Sequence, residues 1–150
     1  MGNRNSYYPD IGAQGEDFVA QWLEAQGWLI LYRRWRCRWG ELDLVAHYRG
    51  EEVQTPRAAA LAFVEVKTRS ASNWDADGLL AITAAKQAKL WQAARQFLAE
   101  HPYLSDLPCR FDVALVRCQR PVKDLRPGTP VPPSQFQLHE YIPGAFDNGA

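Results

Sequence analysis

The sequence predicts an α/β fold, with a mixed β-sheet of about five strands flanked by helices. Two segments carry apolar residues at the spacing of a buried helix face. Other stretches alternate apolar and polar residues, as half-buried strands do. The predicted order is helix, three strands, helix, strand, strand, and a chain of 150 residues suits one domain over residues 1–150.

The first helix is predicted over Ile11–Gln26. Its apolar face follows helical spacing through Phe18, Val19, Trp22 and Leu23. Asp10 is a plausible N-cap and Gly27 a plausible stop. Glu16 falls along the edge of the apolar face, where a purely solvating charge is unexpected.

The next three segments predict a strand meander. The first, Trp28–Trp39, is rich in β-forming residues, and alternation separates two sets of side chains: Trp35, Cys37 and Trp39 on one face and Arg34, Arg36 and Arg38 on the other. In the second strand Glu41 and Asp43 are expected to share a face, opposite Leu42, Leu44 and Ala46. A loop over about residues 49–60 leads to the third strand, which contains F-V-E-V-K-T-R, Phe63 to Arg69.

The rest of the chain predicts one more helix and two more strands. The helix is expected from about Leu79 to Glu100, with His101-Pro102 ending it. Cys109–Cys118 is the fourth strand. A proline-rich arm at about residues 119–134 is expected to be irregular, and Phe136–Ile142 forms a short last strand.

Composition excludes some broad classes of protein. The formal net charge is zero at pH 7, from 17 basic and 17 acidic residues, so a nucleic-acid partner needs a local argument. An odd number of cysteines, three, favours a reducing compartment over a disulfide framework. The N-terminus lacks the apolar run of a signal peptide, and no window suits a membrane span. We expect a cytoplasmic protein with no membrane partner.

Acidic residues on neighbouring strands indicate a metal site. If the strands pair, Asp43 and Glu65 can converge on one face, with Lys67 one step along. Two carboxylates suit a hard cation such as Mg²⁺ or Mn²⁺, and a lysine can hold an attacking water or offset charge on a phosphate. Taken alone, Glu-x-Lys is more often a charge pair on a half-exposed strand. The accumulation with Glu16 and Asp43 favours the site.

The strongest local basic signal lies in the first strand. Arg34, Arg36 and Arg38 are interleaved with Trp35 and Trp39, so guanidinium groups can track phosphates and rings can stack on bases. The competing interpretation buries the tryptophans and pairs the arginines with acids. Residues that extend the predicted nucleic-acid patch are Arg69 and Lys86.

Four motifs in order resemble one family of bacterial proteins. They are G-x-x-G-E at Gly12–Glu16, R-x-R-x-G-E-L-D-L-V at Arg36–Val45, F-V-E-V-K-T-R at Phe63–Arg69 and R-F-D-V at Arg110–Val113. Over about residues 11–118 the chain is similar to the YraN family, which resembles the restriction-endonuclease-like, PD-(D/E)xK nuclease superfamily. The same layout is similar to that of Holliday-junction resolvases.

The resemblance implies a role for each matched residue. Glu16, Asp43, Glu65 and Lys67 correspond to the catalytic set, in which Asp43 and Glu65 bind metal and Lys67 is the catalytic lysine. Lys86 resembles a basic residue that contacts the phosphate backbone. The implied fold is restriction-endonuclease-like, and the implied chemistry is Mg²⁺-dependent attack by water on a DNA phosphodiester, which leaves a 3′-hydroxyl and a 5′-phosphate.

Two functions remain open from the sequence, beside a third interpretation in which the charges only solvate the edges of the sheet. One is a metal-dependent endonuclease acting on DNA, including branched or single-stranded forms. The other is a non-catalytic nucleic-acid-binding or scaffolding module in DNA processing or uptake, with DNA-processing proteins as partners. A junction-resolving enzyme would need two sites and hence a homodimer, and nothing in the sequence identifies a dimer face.

Overall fold

A computed structural model describes residues 11–48, 61–70, 82–119 and 130–146. Several predicted features lie outside these residues. They are the N-cap at Asp10, the loop at 49–60, the predicted helix start at Leu79 and most of the proline-rich arm.

The described strands form one five-stranded sheet in the order β1-β2-β3-β4-β5. Their bounds are β1 Trp28–Cys37, β2 Gly40–Tyr48, β3 Leu61–Ser70, β4 Cys109–Cys118 and β5 Phe136–Phe146. Neighbouring strands are antiparallel except β3 and β4, which run parallel. A parallel pair needs a crossover, and the second helix lies in that connection. The predicted mixed sheet and its meander of three strands are confirmed.

Two helices flank this sheet. Helix α1 spans Ile11–Ala25, and Gly27 follows it with φ of 98°, a conformation that glycine adopts readily. Helix α2 spans Ala84–Glu100. No helix in the described ranges is long and apolar enough to cross a membrane.

Helix α2 begins later than the sequence predicted. Ile82 and Thr83 precede it, because Thr83 has an extended backbone and its hydroxyl accepts a hydrogen bond from the Lys86 N–H at 3.1 Å. A threonine in this role is an N-cap and therefore marks the helix boundary. Ile82 is nevertheless buried, as its apolar pattern predicted.

Each face of the sheet packs against one helix. Buried residues of α1 and the facing strand side chains form one core, with Val19, Ala20, Leu23, Leu44, Ala46, Val64, Val66, Ala114 and Val116. The α2 side holds the other, with Leu42, Val45, Phe63, Leu90, Phe97, Phe111 and Val113. This arrangement of helices on both faces of a mixed sheet is the restriction-endonuclease-like fold.

The alternation of side chains breaks in the middle of β2. Leu42 packs on the α2 side, whereas Leu44 and Ala46 pack on the α1 side, so the prediction that these three residues share a face is wrong. The reason lies at Asp43, where the regular β2–β3 pairing has ended. Strand β2 stays paired with β1 on either side of this point, but Arg34, which lies opposite Asp43, has a positive φ of 53°, and such an irregularity in the ladder interrupts strict alternation.

The last strand is longer than predicted because its C-terminal end is fastened to β4. Asp112 is fully buried and accepts three hydrogen bonds, from Arg110 Nε, the Tyr141 hydroxyl and the Gly144 N–H. A buried carboxylate needs such partners, so the network holds the β5 backbone beside β4 as far as Phe146.

Candidate functional site

Asp43 occupies the point where β2 and β3 separate. The described pairs run from His47 with Leu61 to Leu44 with Val64. One residue beyond, Asp43 Oδ2 accepts the backbone N–H of Val66 at 2.9 Å. The carboxylate thus takes the place of a ladder carbonyl, which satisfies a strand N–H and fixes the side chain between the two strands.

Three carboxylates converge at this separation. One oxygen each from Glu16, Glu41 and Asp43 lies within 4.8 Å of the others. Glu16 comes from α1. Glu41 and Asp43 both come from β2, where they share a face as predicted. Oxygen donors at this spacing are the ligands that a hard divalent cation such as Mg²⁺ prefers. The donor set therefore fits the predicted metal.

A glycine brings Glu16 into range. Gly15 is buried, and a Cβ at this position would overlap the Thr68 side chain of β3. Helix α1 therefore approaches β3 closely at the residue before Glu16. Glu16 is only 15% exposed in its side chain, which confirms its predicted position at the edge of the buried face.

The proton affinity of Asp43 reports the crowding of negative charge. Burial first and the charge of Glu65 second raise the pKa of Asp43, which lies at about 8 instead of 3.8, although the hydrogen bond from Val66 lowers it. Glu16 and a hydrogen bond with Glu65 add smaller increases to this pKa. A bound cation would relieve the same repulsion, so the electrostatics favour a metal here.

Glu65 lies next to Asp43 and is held by two lysines. Glu65 is buried, and its Oε1 lies 3.1 Å from Lys86 Nζ and 3.6 Å from Lys67 Nζ. It is not a member of the three-carboxylate group. Lys86, which the sequence placed only in the nucleic-acid patch, is thus brought into the candidate site from the first turn of α2.

The two lysines differ in proton affinity. Burial lowers the pKa of Lys67, and its hydrogen bond with Lys86 lowers it further, against the opposing charge of Glu65. Burial would also lower the pKa of Lys86, but its bond to Lys67 and the charge of Glu65 outweigh burial and raise it. Lys67 is therefore the member of the pair that gives up a proton more easily.

The arginines of β1 mostly face acids. Arg34, which has a positive φ of 53°, donates to Glu16 at 2.6 Å, and Arg36 donates to Glu41 at 2.8 Å. Arg33 pairs with Asp17 at 2.6 Å. Two of the predicted DNA-contacting arginines, Arg34 and Arg36, thus pair with members of the three-carboxylate group.

The remaining predicted basic residues are placed differently. Arg69 donates to the carbonyl of Thr68 at 3.0 Å. Strand β1 ends at Cys37, so Arg38 and Trp39 form the turn before Gly40. The prediction that Trp39 shares a strand face with Trp35 and Cys37 is therefore wrong, because a two-residue turn interrupts the alternation.

Glu41 is the site residue that the sequence argument left out. The sequence did indicate Glu41, since it stands two residues before Asp43 on the same strand and shares the face of Asp43. The position of Lys86 carried no such signal, because it depends on where the first turn of α2 meets the end of β3.

The fold and the site together define a class of protein. Carboxylates from a first helix and two central strands, with a lysine on the second of these strands, form the layout of the PD-(D/E)xK nuclease-like superfamily. Residues 15–116 match a family described as "Uncharacterised protein family UPF0102". The chain belongs to this family, which is the YraN family predicted from its motifs.

Several relatives of this chain carry the same family name. A UPF0102 protein of Trichodesmium erythraeum is 57% identical over 112 residues, which cover 73% of this chain and 62% of the relative. One from Acaryochloris marina is 55% identical over 116 residues, 77% of this chain and 67% of the relative. One from Nostoc sp. is 48% identical over 138 residues, 92% of this chain and 94% of the relative. The chain thus spans less than two thirds of the Trichodesmium relative.

Proposed function

We propose that this protein is a Mg²⁺-dependent DNA endonuclease that hydrolyses phosphodiester bonds, with Mn²⁺ as an alternative ion. One observation carries the proposal: Glu16, Glu41 and Asp43 bring oxygens within 4.8 Å of one another, beside Glu65 and its two lysines. This set supplies anionic ligands for a cation and cationic groups for a phosphate in one place.

Each residue has a distinct role in this proposal. Asp43, Glu16, Glu41 and Glu65 would hold the cation. The cation, when bound, polarises the phosphate and the attacking water. Lys67 orients that water or a phosphate oxygen, and its lowered pKa suits it to exchange a proton there. Water adds to phosphorus as the bond to the 3′-oxygen breaks, which leaves a 3′-hydroxyl and a 5′-phosphate.

The arginines suggest how DNA reaches the carboxylates. Arg34 and Arg36 are exposed, and each pairs with a proposed metal ligand, Glu16 and Glu41 respectively. When a cation neutralises Glu16 and Glu41, those pairs weaken and the guanidinium groups become available to phosphates. Arg38, Arg69 and Lys86 extend this basic surface. A cytoplasmic location, a homodimer and partner proteins in DNA processing remain predictions from the sequence.

A cleavage assay tests the proposal. Purified protein is incubated with linear, single-stranded, flapped and four-way DNA, in Mg²⁺, in Mn²⁺ and in EDTA. We expect metal-dependent products with 5′-phosphates, and a loss of at least about a hundredfold in rate for Asp43→Ala and Lys67→Ala. The matched controls are Asp17→Ala, which removes the exposed acid beside Glu16, and Lys89→Ala, which removes an exposed lysine of α2.

The outcomes separate the two candidate functions. Cleavage that survives Asp43→Ala and Lys67→Ala, or that needs no metal, contradicts the assigned residues. Binding of DNA without cleavage of any substrate favours the non-catalytic nucleic-acid-binding or scaffolding module. Equal losses in the control variants would show that the effect is general destabilisation.

A further inference from the structure

The turn between β1 and β2 carries an exposed aromatic residue and a cation. Arg38 and Trp39 are the two turn residues between Cys37 and Gly40, which pair with each other. The Arg38 guanidinium lies 4.6 Å from the centre of the Trp39 ring, and Trp39 is 37% exposed. We propose that this turn is a stacking platform for an unpaired nucleobase, so that the substrate is DNA with unpaired nucleotides. The inference rests on the proposed nuclease function.

Charge distinguishes Arg38 from its neighbours. Arg33, Arg34 and Arg36 each donate to a carboxylate. Within the described ranges Arg38 has no ion pair, and it is exposed. No acid of the described residues therefore offsets its charge, which leaves it available to a DNA phosphate.

The surroundings of Trp39 also set it apart. Tyr32, another exposed aromatic residue, is fixed in place, because its hydroxyl contacts His101 Nε2 at 2.9 Å and its ring packs on Phe97. Trp39 instead contacts the guanidinium of Arg38. A cation on one face of an indole orients the ring, and a base needs only the other face for stacking.

The platform lies beside the carboxylates. Trp39 is two residues before Glu41, and the turn leads directly into β2, the strand that carries Glu41 and Asp43. Bases inside a duplex have both faces covered by their neighbours. Only a base that has left the stack can use the Trp39 ring.

Binding measurements test the platform independently of cleavage. The full chain is titrated in EDTA against a fluorescein-labelled single strand and a blunt duplex of the same sequence, and anisotropy gives Kd. We expect Trp39→Ala to weaken binding of the single strand by about fivefold to a hundredfold, with less than a twofold change for the duplex. Trp39→Phe is expected to keep most of the affinity. Arg38→Gln should weaken binding of both the single strand and the duplex, and should lower the slope of log affinity against log salt concentration by about one.

Two control variants remove the same chemistry elsewhere. Tyr103→Ala removes an aromatic residue that is 73% exposed, and Arg95→Gln removes an exposed cation of α2. Tyr103 follows the end of α2, whose first turn carries Lys86 in the site, and the helix between them is about 21 Å long. We expect neither variant to change the preference for single strands.

Three results would overturn the inference: wild-type affinity of Trp39→Ala for the single strand, a proportional loss for the duplex, or an equal loss in Tyr103→Ala. Cleavage assays then separate the two proposals. If Trp39-dependent binding persists but no DNA is cut, the nuclease proposal fails and the platform stands. If Trp39→Ala cuts forked and blunt DNA with the wild-type preference, the platform fails and the nuclease stands.

Discussion

Asp43 combines a structural and a chemical role in a single side chain. Its carboxylate accepts the Val66 N–H where β2 and β3 separate, and it lies among three further carboxylates. The spacing of Asp43, Glu65 and Lys67 on neighbouring strands predicted a meeting of charges. The hydrogen bond to Val66 could not be predicted, because it depends on where the ladder between the strands ends.

The raised pKa of Asp43 predicts how stability depends on pH in metal-free protein. In the unfolded chain this carboxyl loses its proton near pH 3.8, but in the folded protein it does so near pH 8. The folded state therefore binds more protons between these values, and stability falls as pH rises through this window.

Asp43→Asn should abolish this dependence, because an amide does not titrate. In EDTA, we expect the variant to gain stability relative to wild type by up to about 1.4 kcal/mol per pH unit between about pH 4 and 8. Urea unfolding at several pH values measures the difference. A difference that stays constant with pH would show that Asp43 is ionised throughout.

Lys86 provides a second test at the level of the residue. Its contact with Glu65 predicts that it supports the reacting groups, whereas its resemblance to a backbone-binding residue predicts a role in DNA affinity alone. Lys86→Ala should therefore lower kcat about tenfold to a hundredfold, with a smaller change in KM. Lys89→Ala is the control. A large rise in KM with unchanged kcat would restrict Lys86 to DNA binding.

Periodicity predicted most elements, but their ends depend on contacts that periodicity does not contain. The meander followed from three β-rich segments and the helices from their apolar faces. The start of α2 was predicted too early, because the N-cap at Thr83 fixes where the helix begins, whereas the apolar pattern extends back to Ile82. The predicted face of Leu42 was wrong, because the alternation of side chains breaks next to Asp43.

The packing of α1 on β3 predicts a strong effect of a small substitution. Gly15→Ala would press a methyl group into the Thr68 side chain and push α1, with Glu16, away from the sheet. We expect a loss of about 1–3 kcal/mol in the free energy of unfolding, from overpacking, and weaker metal binding.

Gly12→Ala is the matched control, since Gly12 is an exposed position of the same helix. This change should be neutral or stabilising by up to about 1 kcal/mol, because alanine favours the helix. Denaturant unfolding of both variants gives the comparison. Equal effects of the two substitutions would contradict a close approach at Gly15.

At the scale of the whole molecule, the family match and the site coincide. Residues 15–116 contain α1 from Gly15 onward, all of β1 to β3 and of α2, and β4 as far as Val116, and every proposed site residue lies within this span. Part of the balance between basic and acidic residues lies near the site, where several arginines pair with acids. Composition could not show this arrangement, since it records how many charges there are and not where the fold places them.

The claim on which the other proposals depend is that these carboxylates form one cation site. It is tested most directly by the melting temperature of wild type, Asp43→Ala and Glu65→Ala, with Mn²⁺ and with EDTA. A ligand at a hundred times its Kd stabilises the folded state by about 2.7 kcal/mol, which is about 5–10 °C for a domain of this size. We predict such a rise for wild type and little or none for either variant. An equal rise in all three proteins, or none in wild type, would contradict the site.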